Sequence, residues 1–139
     1  MDIGSAAGNV TNKLLWWCIV AAWPHLRDAP GPIEETAIFL KGELGPDDIV
    51  LVSSPTDAPL LYYFDRHGIP RTFIDRVGKS RLRGISFDRA FIVYNHSFQP
   101  TLEVAAVEAG LAPEKLNLAG AREITAFGAT IIAVCPSAV

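Results

Sequence analysis

Three apolar runs in this sequence are each followed by side chains able to handle protons or bind a ligand. Ile49-Val-Leu-Val52 leads into Ser53, Ser54 and Asp57; Thr72-Phe-Ile74 leads into Asp75; Phe91-Ile-Val-Tyr94 leads into Asn95 and His96. Serine, histidine and a carboxylate together permit nucleophilic chemistry, because histidine titrates near neutral pH and a carboxylate can orient it. In open parallel sheets ligands collect beyond the carboxyl ends of strands, so Ser53, Ser54, Asp57, Asp75, Asn95 and His96 form a candidate ligand-binding set. The same strings have a plainer reading. Ser53-Ser-Pro-Thr-Asp57 is a turn followed by a helix cap, and Asn95-His-Ser97 is a loop before a helix. The plainer reading outweighs catalysis, and no catalytic residue is assigned.

Other chemistries lack their residues. Strand one runs into Ser-Ser-Pro-Thr-Asp-Ala-Pro, with neither a glycine-rich dinucleotide turn nor a lysine-bearing phosphate loop, so no cofactor is expected. Cys18 and Cys135 are far apart, and His25 and His67 stand alone, so no metal is expected either. One stretch has a consistent charge: Arg76, Lys79, Arg81 and Arg83 occupy a loop that contains no acid. Each cation near an anionic headgroup or lipid phosphate is worth about 1 kcal/mol. This loop is the candidate lipid-phosphate or headgroup contact; the alternative is a solvated loop, since charge without interleaved aromatics specifies no ligand.

The elements that must position these residues alternate. Ile33, Ala37, Leu40 and Leu44 recur at helical spacing, with Pro32 in the first turn, Glu34 and Glu35 complementing the dipole, and Gly45-Pro46 ending the segment. Ile49–Val52 and Phe91–Tyr94 are unbroken β-branched runs of the kind buried on both faces. Asp57 is placed to cap a helix with Leu60, Leu61 and Phe64 inward and His67-Gly68 at its end. Thr72–Asp75 reads as a second strand. Pro100 opens a helix carrying Leu102, Ala105, Ala106 and Ala109 inward, and residues 123–135 form two β-rich runs around a glycine turn. The expected fold is a three-layer α/β domain over residues 33–139, with a short, mostly parallel sheet of βαβ units closed by a C-terminal antiparallel hairpin.

Residues 1–32 differ in character. A polar tail precedes the uncharged run Leu14-Leu-Trp-Trp-Cys-Ile-Val-Ala-Ala-Trp-Pro24, and a linker rich in proline and glycine follows. Crossing a bilayer takes roughly 20 apolar residues, about twice this run. A secretory signal would need a basic front and a small-residue cleavage site, whereas only Lys13 precedes the run and Trp23-Pro24-His25 follows it. A buried helix remains open. Trp16, Trp17 and Trp23, with apolar rings and wet N–H groups, favour the membrane interface as the exit end of a membrane helix or as an interfacial helix.

Composition bounds the partners. The 139 residues are 50% apolar and 19% charged, which excludes disorder, and a net charge of −3 gives no overall drive toward nucleic acid.

Between Leu40 and Val134 several short strings resemble the soluble C-terminal domain of polytopic bacterial membrane glycosyltransferases related to protein O-mannosyltransferases and to lipid A aminoarabinose transferases. They are Pro46, Asp48 and Val50; Ala58-Pro-Leu-Leu-Tyr-Tyr63; Arg66-His-Gly-Ile-Pro70; Val93-Tyr-Asn95; Gln99-Pro-Thr-Leu-Glu103, where Pro100 is an insertion; and Phe127-Gly-Ala-Thr-Ile131. The resemblance implies an extracytoplasmic, periplasmic-side domain at the membrane surface. Its partner would be a membrane-embedded catalytic part that uses a polyprenyl-phosphate-linked sugar and an acceptor. In such enzymes the catalytic acid lies near the first membrane helix, which this sequence does not contain, so the chain alone is not expected to transfer sugar. A free-standing ligand-binding or interaction module, with its apolar segment packed on itself or on a twin, is the alternative. A small hydrolase using Ser53 or Ser54 with His96 is a third.

Overall fold

The computed structural model describes residues 30–74 and 86–138. Helix α1 covers Pro32–Glu43, with Pro32 at its first position, Glu34 and Glu35 in its first turn, and Thr36, Ala37 and Leu40 buried. Strand β1 is Ile49–Val52, all four residues buried, and helix α2 is Asp57–Arg66 with Leu60 and Phe64 inward. Strand β2 is Arg89–Tyr94 and helix α3 is Leu102–Glu108. Single 3-10 turns at Pro113–Lys115 and Leu118–Gly120 lead to strands β3, Arg122–Phe127, and β4, Thr130–Pro136.

The four strands form one mixed sheet in the order β1-β2-β4-β3. β1 and β2 are parallel, with Ile49 opposite Ala90 and Val52 opposite Val93. β4 runs antiparallel to both neighbours: Ala90 faces Cys135, Tyr94 faces Ile131, and Phe127 faces Thr130 beside the hairpin turn. The C-terminal hairpin is therefore as the sequence predicts, and Gly128 adopts φ 58° in its two-residue loop, a left-handed conformation that favours glycine.

Period-two alternation divides the core into two layers. Ile49, Leu51, Ala90, Ile92, Tyr94, Ala133 and Cys135 point to one face and pack with Ala105 and Ala106 of α3 and with Leu111 and Leu116. Val50, Val52, Phe91, Val93, Ile132 and Val134 point to the other and pack with Ala37 and Leu40 of α1 and Leu60 and Phe64 of α2. Full burial of a side chain such as Leu40 or Phe64 contributes about 1.5–3 kcal/mol. α1 and α2 are also joined through His67, whose Nε2 lies 3.0 Å from Glu34 Oε1, and Phe39 meets Phe127 of the hairpin edge-on at 6.0 Å.

Four expectations are corrected. The stretch predicted as a strand at Thr72–Asp75 is helical over residues 72–74, where the Ile74 N–H donates to the Arg71 carbonyl at 2.9 Å. Phe73 and Ile74 both pack against the α1/α2 cluster, which adjacent residues of a strand cannot do because their side chains alternate between faces. The sheet is consequently not mostly parallel: one of its pairings is parallel and two are antiparallel. Thr56, not Asp57, holds the cap position of α2, and Asp57 is the first helical residue, its Oδ1 accepting from the Ala58 N–H at 2.9 Å. α3 begins two residues after Pro100, because Thr101 is the cap whose hydroxyl accepts from the Val104 N–H at 3.2 Å. The predicted N-terminal Trp-rich helix lies outside the described residues, and among the described residues no helix is long and apolar enough to cross a membrane.

Candidate functional site

The parallel pairing of β1 and β2 brings their carboxyl ends side by side, and the residues there converge on one buried amide. Gln99, 3% exposed, sits in the turn after β2; its backbone N–H donates to the Asn95 carbonyl at 2.8 Å. Its side-chain Nε2 donates to Glu108 Oε2 at 2.9 Å and lies 3.1 Å from Ser53 Oγ and 3.3 Å from the Ser54 carbonyl. Ser53 Oγ in turn donates to Glu108 Oε2 at 3.3 Å. Gln99 Oε1 faces the Asn95 N–H at 3.4 Å, and Asn95 Oδ1 accepts from the Ser97 N–H at 2.8 Å. One amide thus ties the end of β1, the loop after β2 and the end of α3 together. Both of its N–H groups and its carbonyl are used, as a buried amide requires.

This network positions without activating. The Ser53 hydroxyl is directed at a carboxylate and held by an amide, and His96 is exposed and turned edge-on to the Tyr94 ring at 5.3 Å. A nucleophile needs a base placed to take its proton, and Ser53 and His96 are not arranged as such a pair. Ser54 contributes its backbone carbonyl, and its side chain is exposed along with those of His96 and Ser97. Tyr94, 2% exposed, donates from its hydroxyl to Glu123 Oε1 at 2.9 Å. Burial, reinforced by that bond, pushes its phenol up to about 12.

At the opposite end of the same strand pair stands a second polar link that the sequence reading had not marked as functional. Asp48 is 3% exposed; its Oδ2 accepts from the Gly45 N–H at 2.7 Å and from Arg89 at 2.7 Å, and its Oδ1 accepts from Arg89 Nε at 3.2 Å. Arg89 further donates to the Glu43 carbonyl at 3.2 Å and lies over the Phe91 ring at 5.1 Å. Its hydrogen bonds to the Asp48 carboxylate raise the Arg89 guanidinium further above its already high value. The link joins the end of α1, the start of β1 and the start of β2.

The structure therefore brings Ser53, Ser54 and Asn95 together, places His96 beside Tyr94 at the surface, and assigns Asp57 to the first turn of α2. Asp75, the basic residues Arg76, Lys79, Arg81 and Arg83, and the tryptophans Trp16, Trp17 and Trp23 lie outside the described residues. Gln99 and Glu108 were missed as site residues. Gln99 does stand at the head of one of the resemblance strings, and there its neighbours have structural work: Thr101 caps α3 and Leu102 packs beneath it. Tyr62, within the Ala58–Tyr63 string, is 57% exposed. Among the described residues no group of three or more histidine, cysteine, aspartate or glutamate side chains could hold a metal ion.

No protein-family model matches this sequence, and neither a curated protein nor a solved structure matches it.

Proposed function

We propose that this chain is the water-side accessory part of a membrane glycosyltransferase-like protein, held at the extracytoplasmic membrane surface by its tryptophan-bearing segment. It covers or aligns a membrane-embedded catalytic partner that moves sugar from a polyprenyl-phosphate carrier to an acceptor. The supporting observation is where the resemblance strings fall in the fold. Asp48 links two strands and a helix, Gln99 links two strands and a second helix, and Phe127–Ile131 makes the hairpin turn. These are positions that hold the fold together, as suits a domain that serves by fitting against something else. Three tryptophans in an uncharged run supply the lipid side of that fit.

Flotation with anionic phospholipid vesicles tests the reading. The full chain should rise with the vesicles, and the combined Trp16→Ser, Trp17→Ser, Trp23→Ser variant should stay in the protein fraction with an unchanged circular dichroism spectrum. A wild-type chain that remains below the vesicles overturns it.

The alternative, a free-standing binding or interaction module, draws support from an open groove on α3 lined by Val104, Val107 and Pro113. It predicts no flotation, and a monomer or dimer that binds its ligand without lipid.

A further inference from the structure

The outward side of α3 carries a surface groove of about 430 Å³, lined by Glu103, Val104, Val107, Glu108 and Pro113. Val104, Val107 and Glu108 share one helix face by their spacing, and Val107 is 54% exposed. An exposed valine by itself is ordinary. The charge arrangement around this one is not. Glu103 lies in the first turn, where the helix dipole favours an anion, whereas Glu108 is the last helical residue, where the carbonyl end repels one, and the last turn has no basic residue. Glu108 is nevertheless held in place, because Gln99 Nε2 and Ser53 Oγ both donate to its Oε2. Both donors are neutral, so the carboxylate is oriented while no cation among the described residues matches its charge. A local rule broken by a side chain that the fold takes care to orient marks a place where an outside group completes the arrangement.

We infer that this groove receives a segment of a partner polypeptide in which an apolar side chain is flanked by lysine or arginine. The apolar side chain lies on Val104, Val107 and Pro113; one cation meets Glu108 and the other meets Glu103. Charge complementarity selects this occupant. Glu103 and Glu108, five residues apart, project about 140° from each other around the helix, so they bracket an apolar contact and do not converge on a single ion. An anionic lipid headgroup in this groove is repelled by both carboxylates. The inference does not depend on membrane attachment: the groove belongs to the Gly31–Val139 unit whatever holds the first thirty residues.

The test is fluorescence anisotropy on the full chain with a labelled, blocked peptide Gly-Lys-Leu-Arg-Gly, compared with Gly-Lys-Gly-Arg-Gly and Gly-Glu-Leu-Glu-Gly. Saturable binding of the first peptide is expected, weakened about fivefold or more by Glu108→Gln and again by Val107→Asp, with no binding of the acidic peptide. Both substituted side chains are exposed, and a retained circular dichroism spectrum and unfolding midpoint establish that the variants fold. Three results overturn the inference: equal binding by wild type and Glu108→Gln, equal affinity for the peptide lacking leucine, or no saturable binding. Concentration-dependent self-association that Glu108→Gln abolishes assigns the groove to a second copy of the chain and overturns it as well.

Discussion

The two ends of the β1–β2 pair are each cross-linked by a nearly buried polar side chain, and they solve the problem with different chemistry. At the amino ends Asp48 meets Arg89, so a carboxylate in a dry place is matched by a guanidinium and by the Gly45 N–H. At the carboxyl ends a neutral amide, Gln99, does the linking, and the one charged member of the network, Glu108, reaches the surface with no cation beside it among the described residues. The first end is closed electrostatically and serves stability. The second is ordered by neutral donors and, among the described residues, holds one carboxylate without a cation.

Substitutions can break or sharpen that contrast. Arg89→Met should have the largest effect, about 3 kcal/mol of lost stability in urea unfolding, because Asp48 keeps its buried charge and loses its partner. The contrast fails if this variant unfolds like the wild type while Gln99 variants collapse. Gln99→Ala should cost about 2 kcal/mol, since it strips Ser53, the Ser54 carbonyl and Glu108 of a shared donor; heat-induced unfolding would register it as a lowered midpoint.

Tyr94→Phe is expected to lose about 1 kcal/mol by removing the bond to Glu123. It should also change the pH response. A phenol with its folded value raised from 10.0 to about 12 favours the neutral form in the folded state. Its stabilising contribution is complete below about 10, where the unfolded chain begins to ionise, and is lost as pH rises through about 12. Urea midpoints collected across that window should therefore fall less steeply for Tyr94→Phe than for the wild type. Glu108→Gln closes the series with the smallest effect, within about 0.5 kcal/mol of neutral, because relief from the helix dipole offsets the weakened acceptor. If it proves as damaging as Arg89→Met, the carboxyl end is a stability device like the amino end and the distinction disappears.

What the sequence disclosed follows the range of the forces involved. The runs at residues 49–52 and 91–94 were legible as buried strands because continuous β-branched residues leave few other options, and Gly68 marked the end of α2, where its φ of 70° is left-handed. The hairpin was legible for the same local reason. Thr72-Phe-Ile was misread because three residues have no measurable period, and packing of Phe73 and Ile74 on one layer decided their conformation. The site partners were illegible for a different reason. Ser53 and Glu108 are separated by 55 positions and Asp48 and Arg89 by 41. Only strand register brings such pairs together, and nothing in the local pattern near Glu108 reports that a glutamine nine residues earlier will hold it. Ser53 was read by its type and its place after a strand, and in the fold its companions are a glutamine and a glutamate, not a histidine.

The strand order also governs how this domain can be made. β4 follows the other three strands in sequence yet lies between β2 and β3, and Gly128 of its hairpin closely approaches Pro32, where the first helix starts. During synthesis β2 must therefore wait with one edge of backbone N–H and C=O groups unpaired until about forty further residues have left the exit tunnel, so slow translation or early termination in the hairpin yields an aggregation-prone fragment in place of a trimmed domain.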